Sequence, residues 1–219
     1  MTLHFHRDLE GMKSRVLDMG GLVEDAVNKS ISALIDRRPG LAREVIDGDD
    51  EIDAREIAVE IECQKLIALH QPVASDLRFL LTVLKVNNDL ERAGDLAVNI
   101  AERALYLGER PPLQLPEQLV RQSDSARGML RDCLDALVNQ DTGLARRVRE
   151  RDDEVDELNR EMFRVIEAMM RNDTGTIDRA LHLLSCSRHL ERIADLATNI
   201  AEDVVFLVEG RVIRHRRQA

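Results

Sequence analysis

Tryptophan is absent from this chain, and one tyrosine and four phenylalanines are its only aromatic residues among 219. Sheet proteins concentrate aromatic and β-branched side chains, so this scarcity argues against a sheet fold. Glycine and proline are also few, at 11 and 5. The three cysteines, Cys63, Cys133 and Cys186, are scattered, odd in number and without a CxxC pair. They read as small core residues of a protein kept in a reducing compartment. No stretch approaches the roughly 18 apolar residues of a membrane span. The opening MTLHFHRDLEG lacks the apolar run of a signal peptide. A cytoplasmic protein without membrane insertion is therefore expected. Positive charge is in deficit, with a net charge of -10, which disfavours non-specific nucleic-acid binding. There is no GxGxxG, P-loop, GxSxG or HExxH. No nucleophile–base set is visible, and no catalytic residue is assigned.

What the chain does contain is Ala, Leu, Glu and Arg in abundance, with 44% hydrophobic and 33% charged residues. That balance suits an all-helical protein with a real core. Apolar residues recur at three and four from about Leu9 to Asp36, which predicts a long first helix. Gly20-Gly21 lies inside it, as a place where another backbone can approach closely. Arg38-Pro39-Gly40 is expected to break the pattern. A second helix should run from about Leu41 to His70, bent near Gly48. After Pro72, Ser75 or Asp76 is a candidate cap for a third helix ending near Gly108. ERPPLQLP, Glu109 to Pro116, reads as a linker. A fourth helix over Glu117–Gln140, a fifth over Leu144–Arg171 and a sixth ending near Gly210 complete the chain.

The third and sixth helices carry the same text. LERAGDLAVNIAE, from Leu90 to Glu102, returns as LERIADLATNIAE, from Leu190 to Glu202, with ten of thirteen positions identical at a spacing of 100. GLAREVIDGDDEID, Gly40 to Asp53, returns as GLARRVRERDDEVD, Gly143 to Asp156, with nine of fourteen identical at a spacing of 103. A self-match of this kind means one supersecondary unit used twice. Short turns join antiparallel helices, so the fold class is all-α: two tandem three-helix bundles, six long helices, related by a pseudo-twofold. The alternative is one continuous six-helix bundle, and the Pro-rich linker at the repeat boundary favours two lobes. The expected division is a first repeat over residues 1–110, a linker over 111–116 and a second repeat over 117–219. The last of these ends in a basic tail, RVIRHRR, Arg211 to Arg217. That tail suits a frayed, solubilising terminus, or a contact with a partner or anionic lipid.

At 100° per residue, Glu91, Asp95, Asn99 and Glu102 fall within about 80° of one another, opposite an apolar face. The second copy repeats this with Glu191, Asp195, Asn199 and Glu202. Solvated helix faces usually alternate Glu with Lys at i,i+4, whereas Glu followed by Asp is mildly repulsive. A hard or borderline cation would favour the pattern. The alternative is a solvated face partly neutralised by Arg92 and Arg192. Asp49 and Asp53 form a second i,i+4 pair, continued by Glu56 and Glu60. Asp152 and Asp156 repeat it, but Asn159 and Phe163 follow there. Packed antiparallel, the helices could set Asp49/Asp53 beside Glu91/Asp95, and Asp152/Asp156 beside Glu191/Asp195, with Asn99 and Asn199 adjoining. These ten residues are the candidate metal ligands. Ferritin-like di-iron proteins need Glu-x-x-His pairs, and this chain has none. His189 beside the second stripe could assist it or be a plain surface histidine.

The doubled LER-x-x-DLA-x-NIAE, the DDE-(I/V)-D segments, QPVASDLR and MGGLVEDAV, Met19 to Val27, together resemble the PhoU family over nearly the whole chain. The resemblance implies a cytoplasmic accessory of the phosphate importer and a negative regulator of the phosphate regulon. It implies partners in the importer's ATPase subunit and the phosphate-sensing histidine kinase, and a homodimer. It also implies multinuclear metal clusters on Glu/Asp-xxx-Asp motifs, which map onto Asp49/Asp53, Glu91/Asp95, Asp152/Asp156 and Glu191/Asp195. Fe, Mn, Ni, Zn or Mg are the ions considered. The Asn159 and Phe163 positions are expected to leave the second site poorer in charge. A metal-storage or metal-dependent enzymatic role is the alternative function, and a metal-free helical interaction module is a third.

Overall fold

A computed structural model describes residues 3–213; most of the basic Arg211–Arg217 tail lies outside them. The described residues form seven α-helices and no strand. They are α1 (Leu3–Ile35), α2 (Pro39–Asp47), α3 (Asp49–His70), α4 (Ala74–Gly108), α5 (Glu117–Asn139), α6 (Thr142–Asn172) and α7 (Ile177–Glu209), with a 3-10 turn at Thr174–Thr176. The expected second helix is split at Gly48 into α2 and α3. The other five match their expected spans to within a few residues, except that α1 starts earlier.

Three local expectations are corrected. Pro39 and Gly40 do not break the chain; they open α2. Proline suits that first turn, since its missing N–H has no intrahelical partner there. The reversal falls one step earlier, at Arg37, whose φ of 54° is left-handed. Neither Ser75 nor Asp76 caps α4, which starts after Val73 with no side-chain cap. Side-chain caps stand elsewhere: at the start of α6 the Asp141 Oδ1 accepts from the Leu144 N–H at 2.9 Å, and at the 3-10 turn the Asp173 Oδ1 accepts from the Gly175 N–H at 2.9 Å. Gly20-Gly21 admits a side chain, not a backbone. A Cβ on Gly20 would sit 2.8 Å from Leu134 Cδ2, whereas one on Gly21 would meet nothing.

The first bundle packs α1, α2, α3 and α4 together, and the second packs α5, α6 and α7. The two join along α4 and α7, with a smaller contact between α1 and α5. Both central helices are buried on more than one side, from Leu80 to Leu107 and from Ala180 to Leu207. The apolar core is in consequence continuous through both bundles. Burial at roughly 25 cal/mol per Å² makes this seam a main source of cohesion. The linker is tied down too. The Arg37 guanidinium donates to the Gly108 and Arg110 carbonyls at 3.0 and 2.7 Å, and Arg179 to the Pro111 carbonyl at 2.8 Å.

The α4–α7 crossing has an internal symmetry. Lys85 on α4 meets Asp203 on α7, and Arg103 on α4 lines one cavity with Ser185 on α7. At the repeat spacing of 100, exchanging the helices turns the first pair of positions into the second. The helices therefore run antiparallel about a pseudo-twofold near Gly94 and Ala194.

Candidate functional site

The acidic ladders assemble where α3 lies on α4 and where α6 lies on α7. Gly94 makes the first approach possible: a Cβ there would press on two Ile52 carbons at 3.3 Å. Ile52 is buried between Asp49 and Asp53 on α3. Seating it against Gly94 sets those aspartates beside Glu91 and Asp95.

The electrostatics follow from the juxtaposition. Burial, then Asp53, Asp95 and Asp50, hold the Asp49 carboxyl above its ordinary value. Burial, then Asp95, Asp53 and Glu56, do the same to Glu91, against a smaller opposing pull from Arg92. Glu56 is raised by burial, Glu60 and Asp53. Asp49 Oδ1 is buried with no hydrogen-bond partner. The Asn99 amide NH2 donates to the Asp95 carbonyl of its own helix at 2.8 Å.

The second ladder is more strongly perturbed. Burial, followed by Glu191, Asp152 and Asp156, pushes Asp195 up to about 6 despite Arg192. Glu191 is raised by burial and Asp156. Asp152 is raised mainly by burial, although the Thr198 hydroxyl donates to it at 3.2 Å. Asp152, Asp195, Thr198, Asn199 and Glu202 line a cavity of about 450 Å³, joined by Arg92 and Arg192. Asn159 accepts from the Ser187 hydroxyl at 2.9 Å, and Phe163 is exposed. Among the described residues, no group of three or more His, Cys, Asp or Glu already converges into a metal cage.

The fourth rung of each stripe is held by an arginine, although Glu202 also stays on the cavity lining beside Asp152. Glu202 pairs with Arg149 at 3.0 Å and Glu102 with Arg103 at 3.0 Å. Arg92, on the cavity lining, pairs with Asp89 at 3.4 Å. His189 joins neither ladder: its Nε2 meets the Ser185 hydroxyl at 3.2 Å, and burial with Arg103, Arg192 and Arg188 nearby brings it down to about 4. Sequence reasoning passed over its neighbours Arg103, Tyr106, His182 and Ser185. Burial pushes the Cys63 and Cys186 thiols up to about 12 and Cys133 in the same direction, so none is a thiolate nucleophile near neutral pH. No helix among the described residues is long and apolar enough to cross a membrane.

Comparison with known proteins agrees with this architecture. The PhoU domain family model matches residues 16–104 and again 119–204. A phosphate-specific transport system accessory protein PhoU homolog of Aquifex aeolicus is 43% identical over 210 residues, covering 96% of this chain and 95% of that one. The crystal structure of PhoU from Pseudomonas aeruginosa superposes with a TM-score of 0.92 at 39% identity, covering 94% of this chain and 100% of that one. The phosphate transport system regulatory protein PhoU from Streptococcus pneumoniae gives 0.88 at 30% identity, covering 95% and 99%. With both halves matched and the full-length fold shared, the chain belongs to the PhoU family.

Proposed function

We propose that this protein is a cytoplasmic accessory of a phosphate-specific transport system and acts as a regulatory adaptor. It contacts the ATPase subunit of the importer and the phosphate-sensing histidine kinase, and restrains the phosphate regulon when phosphate is plentiful. The observation carrying this reading is near full-length kinship to proteins named as accessories of phosphate transport. The fold is compatible with it: a continuous helical core makes a stiff body that two partners can share. The working form is a homodimer, checked by light scattering on a sizing column. The regulatory role is tested by deleting the gene. Phosphate-starvation genes should then be expressed in phosphate-rich medium; unchanged expression would overturn the reading.

Within this role the acidic ladders hold divalent or trivalent ions. Asp49, Asp53, Glu91 and Asp95 supply one site, and Asp152, Asp156, Glu191 and Asp195 the other, with Asn99 and Asn199 as adjoining oxygens. The donor set is all oxygen, which suits Mg, Mn or Fe and also accommodates Zn or Ni. The orphaned Asp49 Oδ1 and the carboxylates raised by burial and by one another fit a cation. A bound ion would remove their repulsion and tie α3 to α4 and α6 to α7.

A further inference from the structure

The pseudo-twofold at the α4–α7 crossing gives each flank a built-in control. At the repeat spacing, Lys85 corresponds to Ser185, Asp89 to His189, Asp203 to Arg103, Phe206 to Tyr106 and Thr82 to His182. On the first flank charge is matched. Lys85 Nζ lies 3.3 Å from Asp203 Oδ1 and 5.1 Å above the Phe206 ring, and Arg92 reaches Asp89 at 3.4 Å. The second flank carries neither carboxylate: Arg103 stands where the first flank has Asp203, and His189 where it has Asp89.

That second flank is also hollow. Arg103, Tyr106, Asp178, Leu181, His182 and Ser185 line a cavity of about 230 Å³. Tyr106 stacks on His182 with centroids 3.7 Å apart, and the Arg110 guanidinium covers the Tyr106 ring at 3.4 Å. His182 Nδ1 is buried without a partner. Glu102 takes one Arg103 nitrogen at 3.0 Å, which leaves most of the five guanidinium donors. Ser185 is held at 3.2 Å from His189. A chain with net charge -10 thus places Arg103 and His182 in one small cavity beside Asp178, with Arg110 behind Tyr106 and His189 behind Ser185.

We propose that this cavity binds a small oxyanion of the phosphate class, held by the Arg103 guanidinium, the Ser185 hydroxyl and the His182 imidazole. A planar guanidinium matches two oxygens of such an anion, and charge-assisted bonds strengthen in a partly dry site. The hollow is small and opens to solvent, so the free ion is the occupant proposed and a phosphoryl group on a larger molecule is the competing outcome of the test. Asp178 supplies selectivity. As a carboxylate it repels an aprotic dianion such as sulfate but accepts a hydrogen bond from phosphate that still carries a proton. Burial and the Arg103 and Arg110 charges keep His182 below its ordinary value, against Asp178. An arriving anion reverses that balance. The site is independent of the regulatory reading above and of the acidic ladders.

Calorimetry on the full chain tests it, with chelator present so that no cation on the ladders can recruit the anion. The probes are inorganic phosphate, sulfate and a phosphoserine tetrapeptide, with the His182 ring signal followed by NMR. Phosphate should bind and move that signal, with sulfate and the peptide each about tenfold weaker or worse. Arg103→Gln should weaken phosphate at least about tenfold, the loss of a charge-assisted bond. Lys85→Gln, on the matched flank, should leave it unchanged, and Asp178→Asn should erase the preference over sulfate. Ser185→Ala carries the same test where Arg103→Gln fails to fold. No phosphate binding, equal binding after Arg103→Gln or Ser185→Ala, a still His182 signal, or tighter binding of the peptide would each overturn the proposal.

Discussion

Lys85 on α4 and Asp203 on α7 form an ion pair of 3.3 Å whose aspartate is almost sealed from water, at 3% exposure, while the lysine is 45% exposed. The pair pins the two bundles at one end of their shared seam. Replacing Lys85 by Met removes a charged donor from a buried carboxylate. Because the lysine end is wet, the cost is expected at about 1–2 kcal/mol, below that of a fully buried pair. Urea unfolding of Lys85→Met against the wild type measures it, and Lys85→Met with Asp203→Leu should recover part of the loss. A single variant indistinguishable from wild type would mean the pair is only a surface contact.

Neighbouring glycines in α1 should respond in opposite directions. Gly20→Val drives new atoms into Leu134 and is expected to destabilise by about 1–3 kcal/mol. Gly21 faces open space, so Gly21→Ala should stabilise by up to about 1 kcal/mol through helix propensity. Thermal melts of the two variants decide it, and a shift of the same sign in both would contradict the assigned orientation of α1.

Asp195 predicts a pH slope. Its carboxyl titrates near 6 in the folded chain against an ordinary value of 3.8. Between those values the native state binds more protons than the unfolded one. Stability contributed by this group therefore falls as pH rises from about 4 to 6, and is flat above. Asp195 still reaches solvent, so screening limits the effect to about 1 kcal/mol. Glu191, Asp152, Asp49 and Glu91 are raised as well and act in the same sense. Denaturant midpoints with chelator present, taken at several pH values, should show a shallower slope in Asp195→Asn. Parallel curves for variant and wild type would count against a raised Asp195 carboxyl.

Metal should raise the melting temperature, and in steps that map the two sites. Glu91→Gln with Asp95→Asn is expected to stabilise the chelated protein and to lose the part of the metal response that belongs to the first site. Glu191→Gln with Asp195→Asn should do the same for the second. With ion at about 100 times its dissociation constant, an intact site contributes about 2.7 kcal/mol. A wild-type midpoint unmoved by chelator and by added Mn, Fe, Ni, Zn or Mg would identify the ladders as solvated faces.

The helices and their pairing in two threes were legible because period 3.6 and the internal repeat point the same way. Helix ends were less so: Pro39 reads as a breaker until the preceding residue is known to carry the reversal. The ladders were legible as i,i+4 carboxylates, and Asp49 with Asp95 did come together. Asn99, Glu102 and Glu202 share their angular sector, but each found a nearer partner, which periodicity cannot foresee. The Arg103 flank was missed for a different reason. Its signal lies not in either copy but in their differences, Asp89 against His189 and Asp203 against Arg103. Those differences matter only once α4 and α7 are known to cross.

That crossing frees the sequence from a constraint that true dimers obey. In a twofold homodimer a residue on the axis-related surface appears twice, so any change on one flank is forced on the other. Here both halves of the crossing lie in one chain, and each flank mutates alone. One end could keep the lysine–aspartate clasp that holds the halves shut while the other exchanged its carboxylates for arginine and histidine. An internal repeat in one chain thus leaves one end of a symmetric joint free to carry a different chemistry without loosening the joint.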